Sequence, residues 1–164
     1  MKVKSLVVTM GVAFVATAAI AADTPPKEGA FTGKSTGIGE LLKTTPIGKN
    51  GDALNIFEEN GTAANGDKWH CFWLAPVIQN TAVEPHGYCL NTDKDGDQSL
   101  ARTAAGTRPL SVPTGFAGGE AVMGTGKYAG TMSSFVAICQ FAGSANDPTH
   151  YSVTCDTQGS YKAP

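Results

Sequence analysis

The sequence predicts an all-β protein built as a single antiparallel eight-stranded closed barrel, with a two-sheet sandwich as the alternative. First, the chain has 164 residues, a length that fits one domain. Second, 41% of its residues are apolar and 16% are charged, so a packed core is feasible, and 20 glycines supply many turns. Third, apolar runs of strand length recur with Gly, Asn or Asp between them, whereas helical periodicity is poor.

The N-terminal residues have the features of a secretion signal. Lys2 and Lys4 precede an apolar run at residues 6–20, and Ala19 and Ala21 fit the A-x-A cleavage pattern. A buried N-terminal helix is the alternative. The expected organisation is a cleaved signal peptide at 1–22, a flexible leader at 23–35 and a β-barrel domain at 36–164.

The signal, the apolar runs and the net charge predict the compartment of the protein and exclude some classes of partner. A short, alanine-rich signal of bacterial type predicts a periplasmic or secreted protein. A second apolar run of membrane length is lacking, so we expect no membrane insertion after signal removal. The net charge of -2 argues against nucleic-acid binding. The sequence indicates no cofactor and no particular oligomeric state.

Eight apolar runs are candidate barrel strands. In the third run, Trp69, Cys71 and Trp73 share one face, and residues 70, 72 and 74 share the other. Both faces are apolar, as expected for a barrel wall beneath another element. The predicted strands are residues 38–42, 53–59, 69–78, 86–91, 98–104, 115–123, 132–141 and 151–156.

Four cysteines in an exported chain favour two disulfides. Three connectivities are open, and the spacing suggests Cys71–Cys89 and Cys139–Cys155, because each pair lies on runs that resemble consecutive strands. A metal site is the weaker alternative, because there is no C-x-x-C and only His70 stands beside a cysteine.

Residues 93–97 (DKDGD) form an acidic turn between two predicted strands. The turn begins like a calcium loop, but the closing glutamate of such a loop would fall at Arg102. Asp-Gly is a favoured hairpin turn, so a solvated hairpin is the preferred interpretation. A weak cation site at Asp93, Asp95 and Asp97 is the alternative.

A glycine-rich segment at 124–130 (GTGKYAG) resembles a phosphate-binding loop only superficially. Tyr128 follows Lys127 where a Walker loop has Ser or Thr, and no βαβ pattern surrounds the segment. We expect a tight turn or bulge between barrel strands.

Aromatic and histidine side chains are the candidates for a ligand cavity, with plain core packing as the alternative. If Cys71 pairs with Cys89, His70 and His86 lie on neighbouring strands and could share a site. A core or surface position is the alternative for each histidine. The candidates are Trp69, His70, Trp73, His86, Tyr88, Phe135 and Tyr151. A general base could come from Glu40, Glu58, Glu59, Glu84 or Glu120, and the sequence does not select among them.

Residues 87–97 (GYCLNTDKDGD) and 124–130 (GTGKYAG) together resemble segments of the allene oxide cyclase-like and dirigent-like barrels. The closer resemblance is to small exported bacterial proteins of that type. It covers residues 36–161 and implies an eight-stranded barrel with a central cavity. The polar cavity residues of the plant proteins match no positions here, so their activities are not transferred.

The expected function is non-catalytic binding of a small apolar ligand, or a structural role. A cyclase or isomerase acting in the barrel cavity is the first alternative, and it requires a buried polar group. A weak cation-binding module that uses the acidic hairpin is the second. No catalytic residue is assigned.

Overall fold

The computed structural model describes residues 27–143, 147 and 149–164. The predicted signal peptide and the first residues of the leader lie outside this part of the chain. The strands are β1 (Glu28–Ile47), β2 (Asp52–Ala63), β3 (Lys68–Ile78), β4 (Thr81–Ala82), β5 (His86–Thr92), β6 (Gln98–Ala105), β7 (Arg108–Pro109), β8 (Thr114–Gly124), β9 (Met132–Gly143) and β10 (His150–Lys162).

Eight of these strands form a closed antiparallel barrel, which confirms the predicted fold class over the sandwich. Each of β1, β2, β3, β5, β6, β8, β9 and β10 pairs with the next along the chain, and β1 closes the barrel by pairing with β10. The two-residue strands β4 and β7 pair with each other and extend β3 at one end. In the described residues no helix is long and apolar enough to cross a membrane.

The first strand corrects the predicted domain boundary. Strand β1 begins at Glu28 and pairs with β10 from its first residue, which lies opposite Lys162. Residues 28–35 therefore belong to the barrel. The prediction that these residues are part of a flexible leader was wrong. The sequence concealed this because the segment is rich in Gly, Thr and Ser, and main-chain pairing does not require an apolar pattern.

Both predicted disulfides are present, and both face the barrel interior. Cys71 on β3 lies opposite Cys89 on β5, and Cys139 on β9 lies opposite Cys155 on β10. The described part of the chain has no free cysteine. Two disulfides fit an oxidising compartment.

Aromatic rings fill the interior by lying over glycines on neighbouring strands. A Cβ atom on Gly39 would come within 2.1 Å of the Tyr151 ring, and one on Gly61 would come within 2.2 Å of the Trp69 ring. The most deeply buried apolar residues are small, such as Ala137. Large rings beside glycines therefore supply much of the interior packing.

Candidate functional site

One carboxyl group lies inside the barrel. Glu59 on β2 has a relative exposure of 9%. The indole Nε1 of Trp73 donates a 2.9 Å hydrogen bond to Glu59 Oε2, and the hydroxyl of Tyr151 donates a 2.7 Å hydrogen bond to Glu59 Oε1. Both carboxyl oxygens thus accept a hydrogen bond from an aromatic side chain that also faces inward. We call Glu59, Trp73, Tyr151 and Arg108 the Glu59 cluster.

The strand register brings this cluster together. Glu59 lies opposite Gly39 of β1, and Gly39 lies opposite Tyr151 of β10. Because Gly39 has no side chain, the Tyr151 ring lies over it and reaches the carboxyl group two strands away. Trp73 lies opposite Phe57, the neighbour of Glu59 on the inner face of β2. Three strands therefore hold the acid in place.

Burial dominates the protonation of the two acidic groups. Desolvation raises the pKa of Glu59, while the hydrogen bonds from Tyr151 and Trp73 and the charge of Arg108 oppose this rise. Desolvation also raises the pKa of Tyr151 strongly, and the adjacent Glu59 charge raises it further. Tyr151 therefore stays a hydrogen-bond donor at neutral pH, whereas Glu59 is the group of this pair that can exchange a proton.

Arg108 on β7 supplies the positive charge of the cluster. Its guanidinium group lies 4.3 Å from the ring centroid of Phe141 and donates a 2.7 Å hydrogen bond to the carbonyl oxygen of Val112. Burial lowers the pKa of Arg108, and the negative charges that Tyr151 and Glu59 carry when they are ionised counter that effect. An arginine stays charged at physiological pH in any case. It therefore partly compensates an ionised Glu59 without a direct ion pair.

Aromatic rings give the cluster apolar surroundings. Phe57 contacts Tyr151 edge-on at 6.1 Å between ring centroids, and Phe141 lies 5.9 Å from Tyr151 on another side. Such pairs fix the orientation of the tyrosine ring. An acid held by two donors among aromatic rings can hydrogen-bond the polar group of a small molecule or exchange a proton with it.

Further polar atoms are buried without a hydrogen-bond partner in the described part of the chain. They include Asn55 Oδ1, Trp69 Nε1 and Thr103 Oγ1, and Thr103 is 2% exposed. All three residues share the inward alternation of their strands with Glu59, Cys71 and Ala101. Because buried polar atoms are usually satisfied, three unpaired polar atoms at inward positions are unusual for a barrel interior.

The predicted cavity residues divide into two groups by strand alternation. Trp69, Trp73, Phe135 and Tyr151 occupy inward positions. Among them, the structure brings Trp73 and Tyr151 together at Glu59.

His70, His86 and Tyr88 occupy outward positions, and Tyr88 is 52% exposed. Their predicted place in the barrel cavity was wrong, because each is adjacent in sequence to an inward residue and side chains alternate along a strand. His70 Nε2 lies 2.7 Å from Glu58 Oε1 on the outer wall, and His86 Nδ1 donates to the carbonyl oxygen of Glu84 at 3.3 Å.

Among the five glutamates considered as a general base, the structure selects Glu59. Glu40, Glu58 and Glu120 lie at outward positions, and Glu84 is an exposed loop residue. A sequence signal was available, because Glu59 shares the face of Ala53 and Phe57 within a predicted strand. Sequence alone could not show which face of that strand lies inside.

The acidic turn and the glycine-rich segment contact each other. The Lys127 ammonium lies 2.5 Å from Asp93 Oδ2 and 3.4 Å from Asp95 Oδ2, and the Lys127 backbone N–H donates to Asp97 at 3.2 Å. Asp93 Oδ1 accepts the N–H groups of Asp95 and Asp97 at 2.8 and 3.0 Å. We call this arrangement the lysine clasp.

The lysine clasp bears on the predicted hairpin and cation site. Gly96, with φ of +88°, completes the turn that joins β5 to β6, so the predicted hairpin is confirmed. In the described residues no three His, Cys, Asp or Glu side chains are placed to hold a metal ion. The hydrogen bond from Lys127 lowers the pKa of Asp93. A weak cation site here stays a prediction, and any cation would compete with Lys127.

Comparison with known proteins found no matching family model, no matching curated protein and no matching solved structure.

Proposed function

We propose that this protein is an exported, periplasmic or secreted barrel that binds a small, largely apolar molecule carrying one polar group, without catalysis. The molecule contacts the aromatic rings at the Glu59 cluster, and its polar group hydrogen-bonds Glu59 or Arg108. The observation that carries this proposal is a carboxyl group with 9% exposure held inside the barrel by Tyr151 and Trp73.

Two further observations support a binding role. The interior contains buried polar atoms without protein partners, such as Thr103 Oγ1, which is unusual for an interior that serves packing alone. Burying a carboxyl group in a small barrel destabilises the fold, and a residue that lowers stability in this way is typical of a functional site. The resemblance of residues 87–97 and 124–130 to allene oxide cyclase-like and dirigent-like barrels agrees with a ligand-binding interior.

A cyclase or isomerase is the second candidate, favoured by the raised pKa of Glu59. An acid that keeps its proton closer to neutral pH can protonate a substrate and recover the proton afterwards. Tyr151 then orients the carboxyl group, because its own proton is held too strongly for transfer. The two candidates share one site and differ in whether the bound molecule leaves unchanged.

Native mass spectrometry of the protein purified from its natural compartment tests the proposal. We expect a non-covalent adduct of small mass that disappears on denaturation and is lost from Glu59→Gln. Glu40→Gln, which changes an exposed glutamate on β1, is the matched control and should keep the adduct. A bare protein mass, or an adduct that persists in Glu59→Gln, would contradict binding at this cluster. Incubation of the released molecule with fresh protein then separates binding from isomerisation.

A further inference from the structure

A groove crosses the outer wall of the barrel, on the other side of the sheet from the Glu59 cluster. It has a volume of about 660 Å³ and runs over β5, β6 and β8. The bottom of the groove is formed by small residues, which are Ala104, Gly118 and Gly119. Small residues on two neighbouring strands, β6 and β8, thus leave a depression in the outer wall.

A row of larger side chains borders this floor. Tyr88, Arg102 and Glu120 are direct cross-strand neighbours on β5, β6 and β8. Phe72 on β3 extends the row beyond Tyr88, and the two aromatic residues are 48% and 52% exposed. Exposed rings therefore lie at one end of the row, and hydrogen-bonding groups lie at the other.

The charges in this row cancel. Arg102 Nη2 contacts Glu120 Oε1, and both side chains are more than half exposed. An anionic or cationic ligand would have to break this pair, whereas a neutral ligand can use the remaining guanidinium donors and carboxylate acceptors together. The row therefore suits an uncharged molecule that offers both donors and acceptors.

The groove continues into a second one, which makes the surface long. The second groove has a volume of about 740 Å³, shares Glu120 and Ser134 with the first, and reaches across β9 and β10 to β1. Hydroxyl groups line this part, from the cross-strand neighbours Ser134 and Ser160. Neighbouring strands lie about 4.8 Å apart, a spacing close to the length of one sugar ring in an extended chain.

We propose that this outer groove binds a neutral oligosaccharide. Tyr88 stacks on the apolar face of one sugar ring, Arg102 and Glu120 hydrogen-bond its hydroxyl groups, and the serine-lined part takes the following rings. A second copy of the chain is the competing occupant, because Phe116, Val136 and Ile138 are exposed on the same outer face of β8 and β9. The titration below distinguishes it by its dependence on protein concentration.

NMR titration of the isotope-labelled protein tests the proposal. We expect cellotetraose, tetra-N-acetylchitotetraose or maltotetraose to shift the amide signals of β5, β6 and β8, with at least tenfold weaker binding by Tyr88→Ala and retained binding by Tyr88→Phe. Ile38→Ala, which removes an exposed apolar side chain on β1 outside both grooves, is the control and should bind normally. The anionic tetragalacturonate should bind more weakly than the neutral sugars.

Three results would overturn the proposal. They are no shift with any of the three neutral sugars at about 10 mM, shifts confined to strands that line neither groove, and shifts of the groove signals that depend on protein concentration alone. Glu59→Gln should leave the sugar titration unchanged, so the outcome is separable from that of the ligand at the Glu59 cluster.

Discussion

The hydroxyl of Tyr151 donates a 2.7 Å hydrogen bond to Glu59 although 92 positions separate the two residues in the sequence. The contact crosses from β10 over Gly39 of β1 to β2, at the place where the first and last strands close the barrel. It therefore links the closure of the barrel to the position of its buried acid. Substitutions of Tyr151 should therefore affect both the stability of the barrel and the titration of Glu59.

Removing the Tyr151 hydroxyl should destabilise the fold and change the titration of Glu59. We expect Tyr151→Phe to cost about 1–3 kcal/mol, because it leaves a buried carboxyl oxygen without its donor. The pKa of Glu59 should rise further, since that hydrogen bond lowers it. Urea denaturation and an NMR titration measure the two effects. Unchanged stability together with an unchanged titration would show that the bond is absent in solution.

Gly39 should be intolerant of any side chain. A Cβ atom there would come within 2.1 Å of the Tyr151 ring, so we expect Gly39→Ala to destabilise the protein by about 1–3 kcal/mol. Gly33→Ala on the same strand is the matched control, because a Cβ atom at Gly33 meets nothing within 4 Å. Thermal unfolding of both variants measures the difference. Equal melting temperatures would contradict the close packing of ring on glycine.

The buried acid should make stability depend on pH. The pKa of Glu59 is raised from its ordinary value of 4.5, so the folded state holds this proton more tightly than the unfolded state. Its contribution to stability is therefore greatest below pH 4.5 and declines as the pH rises through the raised pKa. Urea denaturation between pH 4 and 8 should show this decline in the wild type and a weaker one in Glu59→Gln. Identical slopes would argue against a buried, titrating Glu59.

The lysine clasp should make stability depend on pH in a more acidic range than Glu59 does. The pKa of Asp93 is lowered below 3.8, so its contribution is present above that pH and is lost as the pH falls through the lowered value. Asp93→Asn should lower the melting temperature at neutral pH by more than Asp95→Asn does, because Asp93 also accepts two backbone N–H groups. Neither shift should depend on added calcium. A calcium-dependent rise that is lost in Asp95→Asn would instead establish the cation site.

Reduction should lower the melting temperature markedly. The disulfides close loops with sequence separations of 18 and 16 residues, and each is expected to contribute about 3 kcal/mol by restricting the unfolded chain. Double substitution of Cys139 and Cys155 should cost at least as much as that of Cys71 and Cys89, because Cys139 belongs to the core cluster with Val153. A melting temperature that does not change on full reduction would contradict this account.

The barrel could be predicted because its strands carry local signals. The predicted runs 69–78 and 86–91 match β3 and β5 within one residue, and Trp69, Cys71 and Trp73 share one face as predicted. Which of the two apolar faces lies inside was left open. Strand β1 was predicted over only 38–42, because its first half has no apolar run of strand length and is held by main-chain pairing with β10.

The candidate site was only partly predictable, because it depends on register between distant strands. Trp73 and Tyr151 were found as aromatic residues on strand faces, but Glu59 was one of five glutamates without a distinguishing motif. Arg108 was missed because it lies on a two-residue strand within a connection, where sequence periodicity carries no signal. The contact of Lys127 with Asp93 was likewise hidden, although both segments had been singled out separately.

The most direct test of the central claim is an NMR titration of the Glu59 side-chain carboxyl carbon, assigned by comparison with Glu59→Gln. A functional acid inside the barrel must be shielded from water, so we expect a pKa above the ordinary 4.5. Addition of the molecule found by native mass spectrometry should shift it further. A pKa at or below 4.5 that does not respond to that molecule would show that Glu59 is solvated, and it would contradict a ligand site at this cluster.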